Sequence, residues 1–249
     1  MILPNAKEAK HKAWLYRILT RIYDDHTLAA SLYFKGGTCA AMRGFLDRYS
    51  VDLDFDYVAP QNEMDGVRKK MEDIFIKIGL EIEEKSQNTP QYFLRYPALT
   101  NERNTLKIDV TFPPPKSNVY ESAAFSEINR VITCQTIETM FANKLVALID
   151  RWEKNKSIAG RDIYDIHHFF IQGFGYNSDV INERTKKTLA NFFQELIGFV
   201  ESKITQTIIE QDINALLPYE QFRKIRNILK QETLMFLKDE LKRIKDGIK

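Results

Sequence analysis

The chain has 249 residues, of which 44% are hydrophobic and 28% charged, with a formal net charge of +2. This composition excludes a disordered chain, and no apolar run approaches the ~20 residues that a transmembrane helix needs. The small net charge argues neither for nor against a polyanionic partner, because local patches matter more than the sum. No secretory signal precedes Lys10, and Cys39 and Cys134 follow no metal-ligand spacing, so we expect a cytoplasmic protein with two partly buried thiols and no membrane contact.

Hydrophobic spacing predicts an α/β first half. In chain order, we expect a helix over residues 6–25, a strand over 32–35, a helix over 38–46 with Thr38 as its N-cap, a strand over 53–58 and a helix over 62–78. Period-two alternation then predicts strands over residues 80–85, 91–96 and 106–112, with short strands over 119–121 and 131–134.

The pattern becomes helical after Thr136. We expect helices over residues 137–152 and 162–170, and long single helices over 183–203 and 219–245. The sequence therefore predicts an α/β (α+β) fold in two domains. Residues 1–133 would hold a mixed β-sheet with flanking helices, and residues 134–249 would form a helical C-terminal domain.

The turn Gly36-Gly37-Thr38 has the composition of a phosphate-binding turn. Glycines let the backbone approach a phosphate, and the following helix presents unpaired N–H groups and the positive end of its dipole. The Thr38 hydroxyl can add a hydrogen bond. The turn is neither a Walker A loop nor a GxGxxG fingerprint, and a plain turn before a helix remains the alternative.

Acidic residues on two predicted strands are candidates for metal binding and catalysis. Asp52 and Asp54 are two apart on a strand and share a face, where Mg²⁺ could join them to phosphate oxygens. Asp56 would share that face further along. Asp109 interrupts a hydrophobic strand, which predicts a metal or another cation beside its carboxylate, and Asp109 could also act as a general base. The alternatives are solvated acids on an exposed edge strand and, for Asp109, a solvent-facing residue.

Charged residues in the second half have both functional and structural explanations. Lys144 lies among apolar residues of a helix, so it requires either an anion or a path to solvent. Asp162 and Asp165 are three apart and share a helix face. Asp162 could also cap its helix, and Asp165 could pair with Arg161 or Arg151.

Two pairs of polar residues have less specific signals. Arg48 and Ser50 flank the acidic strand and are candidate nucleotide-binding residues, and Arg48 would contact either a phosphate or Asp52. His167 and His168 are adjacent on a helix and face different directions, which favours packing or surface roles over metal binding.

Aromatic and basic residues leave two further alternatives open. Tyr92, Phe93 and Tyr96 fit a sheet core better than a platform for stacking bases. The basic tail over residues 219–249 fits a solvated helix face, with an RNA-contacting patch as the alternative.

The combined pattern resembles the nucleotidyltransferase β-fold superfamily, in which a glycine turn opens a helix and Asp-x-Asp follows on the next strand. Lys-Gly-Gly-Thr at residues 35–38 and Arg-Tyr-Ser-Val-Asp-Leu-Asp at residues 48–54 are similar to motifs of the AbiEii/AbiGii toxin family. Lys-Leu-Val-Ala-Leu at 144–148 and Arg-Asp-Ile-Tyr-Asp at 161–165 resemble the later motifs of that family. The resemblance covers residues 30–170 and leaves the last ~75 residues unmatched.

This resemblance implies a metal-dependent nucleotidyltransferase toxin of an abortive-infection or toxin–antitoxin system. It implies that an NTP is the substrate, with one or two Mg²⁺ ions. The implied acceptor is the tRNA 3′ end, modified so that translation stops, and the implied partner is a cognate antitoxin such as a helix-turn-helix repressor. The implied residue roles are triphosphate binding by Gly36, Gly37 and Thr38, metal binding by Asp52 and Asp54, phosphate contact by Lys144, and organisation of the site by Asp162.

Other functions remain open on the residues alone. The same catalytic site could act on a small hydroxylated molecule, such as an aminoglycoside, or on a protein side chain. A binding module without chemistry would need neither the acidic pair nor the glycine turn, and a phosphate-binding regulator would need the turn alone.

Overall fold

A computed structural model describes residues 1–99 and 102–247, which lie in two compact units. The first comprises Met1–Pro114 and Val119–Thr136, and the second comprises Pro115–Asn118 and Ile137–Lys249. The expected boundary between residues 133 and 134 falls within a strand that ends at Gln135, so the units divide just beyond it. That each unit folds as a domain stays a prediction. Within the described ranges, none of the helices combines the length and apolar content of a bilayer span.

The first unit is a mixed β-sheet with helices packed on it. The helices are α1 (Ala9–Tyr23), α2 (His26–Ser31), α3 (Gly36–Met42) and α4 (Met64–Lys77). The strands are β1 (Leu32–Lys35), β2 (Asp52–Tyr57), β3 (Glu81–Lys85), β4 (Tyr92–Arg95), β5 (Thr105–Thr111), β6 (Tyr120–Phe125) and β7 (Arg130–Gln135). They lie in the order β3-β4-β5-β2-β1-β7-β6. β2 is parallel to β5 and β1 to β7, while the other neighbours are antiparallel, which confirms the expected mixed sheet.

One face of this sheet carries the hydrophobic core. Alternate residues of the central strands are buried and apolar: Leu32, Phe34, Leu53, Phe55, Tyr57, Leu106, Ile108 and Val110. Helix α1 adds Leu15, Ile18, Leu19 and Ile22 at helical spacing. Burying side chains of this size contributes roughly 1.5–3 kcal/mol each. Because side chains alternate along a strand, the polar residues between them share the opposite face.

The second unit is helical, as expected. Its helices are α5 (Ile137–Asn155), α6 (Gly160–Ile171), α7 (Ser178–Thr185), α8 (Leu189–Lys203), α9 (Gln206–Ile213), α10 (Tyr219–Ile225) and α11 (Leu229–Lys245). Helix α6 packs against α5, α9 and α11, and α11 also packs against α8. The α6–α9 contact requires a glycine, because a Cβ at Gly160 would lie 2.5 Å from the Ile208 carbonyl oxygen.

The two long helices expected in this unit are each interrupted, so those predictions were wrong. Within residues 183–203, Lys186 ends α7 in a left-handed conformation (φ +58°), and the Thr188 side chain accepts from the Asn191 N–H to start α8. Within residues 219–245, α10 and α11 are separate helices. Amphipathic spacing continues across both interruptions, so it does not reveal them.

Two short helices were not expected. Helix α2 has six residues and begins where the Asp25 side chain accepts from the N–H groups of Thr27 and Leu28. Helix α9 has eight residues and is capped by Thr205, which accepts from the Ile208 N–H. Helices this short give too few turns for hydrophobic periodicity to show.

Candidate active site

The turn between β1 and α3 brings the backbone against a carboxylate. Gly36 has a φ of +77°, in the left-handed region that favours glycine. A Cβ at Gly36 would overlap Asp54 Oδ2 and would lie 2.9 Å from both Cβ and Cγ of Asp54. The contact between this turn and the Asp54 carboxylate therefore depends on glycine at position 36.

Gly37 packs against two of the residues that were expected to bind nucleotide. A Cβ at Gly37 would lie 2.9 Å from Arg48 Nη2 and 2.9 Å from Ser50 Oγ. Arg48 is only 2% exposed, and its Nη1 donates to the Tyr49 carbonyl at 2.8 Å. Arg48 and Ser50 therefore support the turn through Gly37.

Thr38 lies inside α3, so its expected role as N-cap was wrong. The helix begins at Gly36, with Lys35 in the capping position, because the left-handed Gly36 turns the chain into the helix directly after β1. Thr38 is fully buried, and its Oγ1 donates to the Asp52 carbonyl oxygen at 2.5 Å. The hydroxyl thus holds β2 against α3, and the backbone N–H is the group of Thr38 that can meet a phosphate.

The three aspartates of β2 share a face but have different surroundings. Asp52 and Asp54 are half-buried, whereas Asp56 is fully buried. The Asp56 carboxylate accepts hydrogen bonds of 2.7–2.8 Å from three side chains: Lys35, Tyr120 and Gln135. Asp56 is therefore a structural anchor for Lys35, the residue immediately before the glycine turn.

Asp109 lies directly across from Asp54 in the parallel β2–β5 pair. Its Oδ1 accepts from Gln91 Nε2 at 2.8 Å, and its Oδ2 pairs with Lys107 Nζ at 2.6 Å. The cation expected beside this carboxylate is thus supplied by the protein itself. The side chain is 29% exposed, so the strand does not bury it completely.

Asp52 and Asp54 are suited to a hard divalent cation. Among the described residues, no group of three or more His, Cys, Asp and Glu side chains could hold a metal ion, so Asp109 does not complete a three-carboxylate set. Mg²⁺, however, is commonly bound by one or two carboxylates together with substrate phosphates and water. Two half-buried carboxylates on one strand face, one of them against the turn, fit that requirement.

His11 on α1 supports the start of the acidic strand. Its Nε2 lies 2.8 Å from the Val51 carbonyl oxygen, and its Nδ1 lies 2.8 Å from Tyr96 Oη. Burial lowers the pKa of His11 to about 4, so the ring is neutral at pH 7. A neutral ring can donate to Val51 through Nε2, and the single proton of the Tyr96 hydroxyl is shared between His11 Nδ1 and the Arg103 carbonyl oxygen, which lies 2.8 Å from that hydroxyl.

A separate charge cluster lies in the helical unit. Lys144 Nζ on α5 pairs with Asp162 Oδ1 at 2.8 Å and with Asp165 Oδ2 at 2.9 Å, both on α6. Arg151 Nε lies 3.0 Å from Asp162 Oδ2, although the two atoms are not aligned as a hydrogen bond. Both carboxylates are fully buried. The anion that Lys144 requires is therefore an aspartate pair, and Asp165, expected to pair with an arginine, pairs with Lys144.

Asp162 is held ionised by its neighbours. Burial raises the pKa of this carboxyl, but the Lys144 ammonium and the Arg151 guanidinium outweigh that effect and hold the pKa below its usual value. The cluster is therefore a set of mutually compensated charges, in which loss of one cation would leave a buried carboxylate poorly compensated.

The sequence matches, over residues 17–229, the family described as nucleotidyl transferase AbiEii toxin of type IV toxin–antitoxin systems. The chain belongs to this family. It is thus a nucleotidyltransferase toxin, and AbiEii membership implies an NTP substrate and a cognate antitoxin.

The solved structures that resemble this AbiEii family member in fold include those of JHP933 and MenT4. JHP933 from Helicobacter pylori is 19% identical to this chain. The structural alignment covers 99% of this chain and 98% of the JHP933 chain, with a TM-score of 0.57. MenT4, a nucleotidyltransferase toxin from Mycobacterium tuberculosis, is 17% identical to this chain. That alignment covers 95% of this chain and 87% of the MenT4 chain, with a TM-score of 0.53. At these identities the similarity establishes the fold alone. Among curated proteins, none matches the sequence significantly.

The candidate site of this AbiEii toxin contains partners that the sequence did not single out. Gln91 and Lys107 orient Asp109, Lys35 binds Asp56, and His11 supports Val51. Strand alternation could have found Lys107, because it lies two residues before Asp109 and shares its face. The other contacts join residues far apart in the chain and leave no local signal.

The aromatic residues of β4 and the two adjacent histidines of this AbiEii toxin differ in their burial. Tyr92 and Tyr96 are buried as expected, but Phe93 is 43% exposed. His167 is buried with Nε2 2.7 Å from Glu232 Oε2, and His168 stacks on Tyr164, which agrees with packing roles.

The contacts of the two cysteines and of the basic tail also indicate mainly structural roles. Cys39 and Cys134 are both buried. Several cations of the tail form ion pairs within the helical unit: Arg223 with Glu220, Arg226 with Glu210, Lys238 with Glu201, and Arg243 with Glu240. These pairs favour a solvated helix face, and residues 248–249 of the tail lie outside the described residues.

Proposed function

We propose that this toxin transfers a nucleoside monophosphate from an NTP to the 3′ end of tRNA, and so stops translation. The observation that carries the proposal is the contact between the Gly36 backbone and the Asp54 carboxylate, with Asp52 on the same strand face. A turn able to approach phosphate and a carboxylate pair able to hold a cation thus adjoin one another. Membership of the AbiEii family indicates the class of reaction, which is nucleotidyl transfer.

Asp52 and Asp54 would hold Mg²⁺, as one ion or two. Bound there with the triphosphate, Mg²⁺ supplies charge neutralisation and orientation of the phosphates. The protein fixes the pair from both sides, because Thr38 bonds to the Asp52 carbonyl and Gly36 packs on the Asp54 carboxylate. Holding charged groups in place before the reaction is the largest contribution that an enzyme makes to such a transfer.

The backbone N–H groups of Gly36, Gly37 and Thr38 would bind the triphosphate. Arg48 and Ser50 would act as positioning residues that keep Gly37 in place, since both are buried against it. This assignment moves Arg48 and Ser50 from nucleotide contact to support of the turn.

In the transfer, the acceptor hydroxyl oxygen attacks the α-phosphorus, and the bond from that phosphorus to the bridging oxygen breaks. Pyrophosphate leaves with the bonding electron pair, and the hydroxyl proton passes to Asp109 or Asp54. Gln91 and Lys107 hold the Asp109 carboxylate in a fixed orientation. A base positioned in this way contributes typically 10²–10⁴-fold to a rate.

Lys144 would act as a phosphate-binding cation, and Asp162 would be the residue that orients it. The ion pairs with Asp162 and Asp165 keep the Lys144 ammonium in one place. Lys144→Ala should therefore weaken NTP binding. Unchanged NTP affinity of a folded Lys144→Ala protein, measured by calorimetry, would refute this role.

We also propose a cytoplasmic location, where NTPs and tRNA are both available. The partner would be a cognate antitoxin, with a helix-turn-helix repressor as one form. In this scheme the two compact units are separate domains, an α/β nucleotidyltransferase domain and a helical domain.

The decisive experiment incubates the purified chain with each α-³²P-labelled NTP, Mg²⁺ and total cellular RNA. Label in a tRNA-sized band supports the proposal. Label in protein, or in an added aminoglycoside, would instead support the other acceptors. Asp52→Asn and Asp54→Asn should abolish transfer while the proteins stay folded, and transfer by either folded variant at the wild-type rate would end the metal assignment.

A further inference from the structure

An exposed aromatic ring lies on the same face of the sheet as the catalytic acids. Phe93 on β4 is 43% exposed, although its neighbours Tyr92 and Leu94 are fully buried. It lies opposite Lys107 of β5, and Lys107 lies opposite Asp52 of β2. Residues opposite one another on adjacent strands share a face. Phe93, Lys107 and Asp52 therefore form a row across three strands.

This position is unusual for an apolar side chain. Single exposed apolar residues are common in proteins and need no explanation by themselves. Here, however, the surrounding residues of the same face are polar: Arg95 on β4, and Thr105, Lys107, Asp109 and Thr111 on β5. Two strand spacings of ~4.8 Å place Phe93 about 10 Å from Asp52 across the sheet.

The direction of the reaction decides which substrate meets this ring. In phosphoryl-type transfer the attacking and leaving oxygens are roughly in line with the phosphorus. The proposed function puts the leaving phosphates at the Gly36-Gly37 turn, which follows β1 on one side of Asp54. The acceptor then approaches from the opposite side, where β5 and β4 carry Asp109, Lys107 and Phe93.

We propose that Phe93 stacks against the terminal base of an acceptor RNA, with Lys107 beside it as the cation for the RNA backbone. The proposal rests on the nucleotidyl transfer proposed above and assigns its acceptor subsite. An aromatic face next to a cation is the combination that single-stranded nucleic-acid sites use, since every base has a face that can stack. Lys107 is 37% exposed, so its ammonium is accessible while it pairs with Asp109.

The test measures steady-state transfer from labelled NTP to a transcribed tRNA with a single-stranded 3′ end. Loss of one base–aromatic stack should raise the KM for tRNA in Phe93→Ala by about tenfold or more. The KM for NTP should not change. Phe93→Trp should keep the wild-type KM for tRNA, and Phe93→Leu, which keeps apolar bulk without an aromatic face, should behave like Phe93→Ala. Val131→Ala is the matched control, because Val131 is a 72% exposed apolar residue on β7.

A second acceptor separates stacking from a merely structural role. With tRNA whose 3′-terminal nucleotide keeps its ribose but lacks its base, the wild-type protein and Phe93→Ala should have equal KM values for tRNA, because no terminal base remains to stack. A wild-type KM for intact tRNA in both Phe93→Ala and Phe93→Leu would overturn the assignment, as would an increase confined to the KM for NTP. If the wild-type protein labels no RNA, the acceptor proposed above fails, and the role of Phe93 fails with it.

Discussion

Replacing Gly36 by alanine perturbs the contact on which the proposed site depends. The substitution adds one methyl group at a residue whose φ is +77°, and that methyl group would overlap Asp54 Oδ2. Two effects follow, one on the backbone and one on the carboxylate. Both can be given magnitudes, and a second glycine in the chain separates them.

The backbone effect is about 1–2 kcal/mol, because the left-handed conformation brings a Cβ close to the following carbonyl oxygen. The packing effect is about 1–3 kcal/mol, as for other methyl groups forced into filled space. The free energy of unfolding should therefore fall by about 2–5 kcal/mol. Displacement of the Asp54 carboxylate by about 1 Å should also reduce kcat/KM for transfer by about 100-fold.

Gly44→Ala is the matched control. Gly44 also has a φ of +77°, but a Cβ there would meet nothing within 4 Å. It should therefore lose only the backbone contribution and keep full activity. Urea denaturation gives the two stabilities, and transfer from α-³²P-labelled NTP gives the two activities. Equal stability and equal activity of Gly36→Ala and Gly44→Ala would refute the contact between the turn and Asp54.

Three further predictions concern the supporting residues and the cation. Lys144→Met should lower the free energy of unfolding by about 3–5 kcal/mol, because Asp162 and Asp165 would remain buried with less compensation. Adding Asp162→Asn and Asp165→Asn should restore most of that stability. A Lys144→Met variant as stable as the wild-type protein would contradict this prediction. The pKa of His11 is lowered from 6.5 to about 4, so the free energy of unfolding with a neutral His11 should exceed that with a protonated His11 by about 3 kcal/mol. That stability is complete above pH 6.5 and is lost as the pH falls towards 4, because the unfolded chain binds the proton more tightly. His11→Gln should remove this part of the pH dependence in urea titrations between pH 4 and 7, and an unchanged slope would count against it. Finally, EDTA should abolish transfer without changing the far-UV circular dichroism, and excess Mg²⁺ should restore it; activity that survives chelation would exclude the metal.

The strands and the polar face of the sheet are largely predictable from the sequence. The strand at residues 32–35 has the expected bounds, and the others differ by a few residues, except that β6 extends to Phe125. Alternation of apolar and polar residues is a strong signal here, because one face of the sheet is buried and the other is not. The same alternation placed Asp52 and Asp54 on one face, and the register of β2 with β5 adds Asp109 to that face.

The sequence did not reveal which polar groups pair with one another. Asp54 and Asp56 look equivalent in the sequence, yet one contacts a glycine turn and the other is buried with Lys35. Thr38 satisfied the composition rule for an N-cap, but the helix begins two residues earlier and the Thr38 hydroxyl donates to the Asp52 carbonyl oxygen instead. These outcomes depend on contacts across the sheet, which local patterns do not contain.

The buried position of Asp56 affects how any mutational survey of this toxin would be interpreted. Truncating Asp52 or Asp54 would remove the proposed metal ligands, whereas truncating Asp56 would leave the Lys35 ammonium, the Tyr120 hydroxyl and the Gln135 amide without their shared buried acceptor. All three changes would make cells survive, for two unrelated reasons. Survival alone would therefore misidentify a scaffold residue as a ligand, and each harmless variant needs a melting curve beside its growth assay.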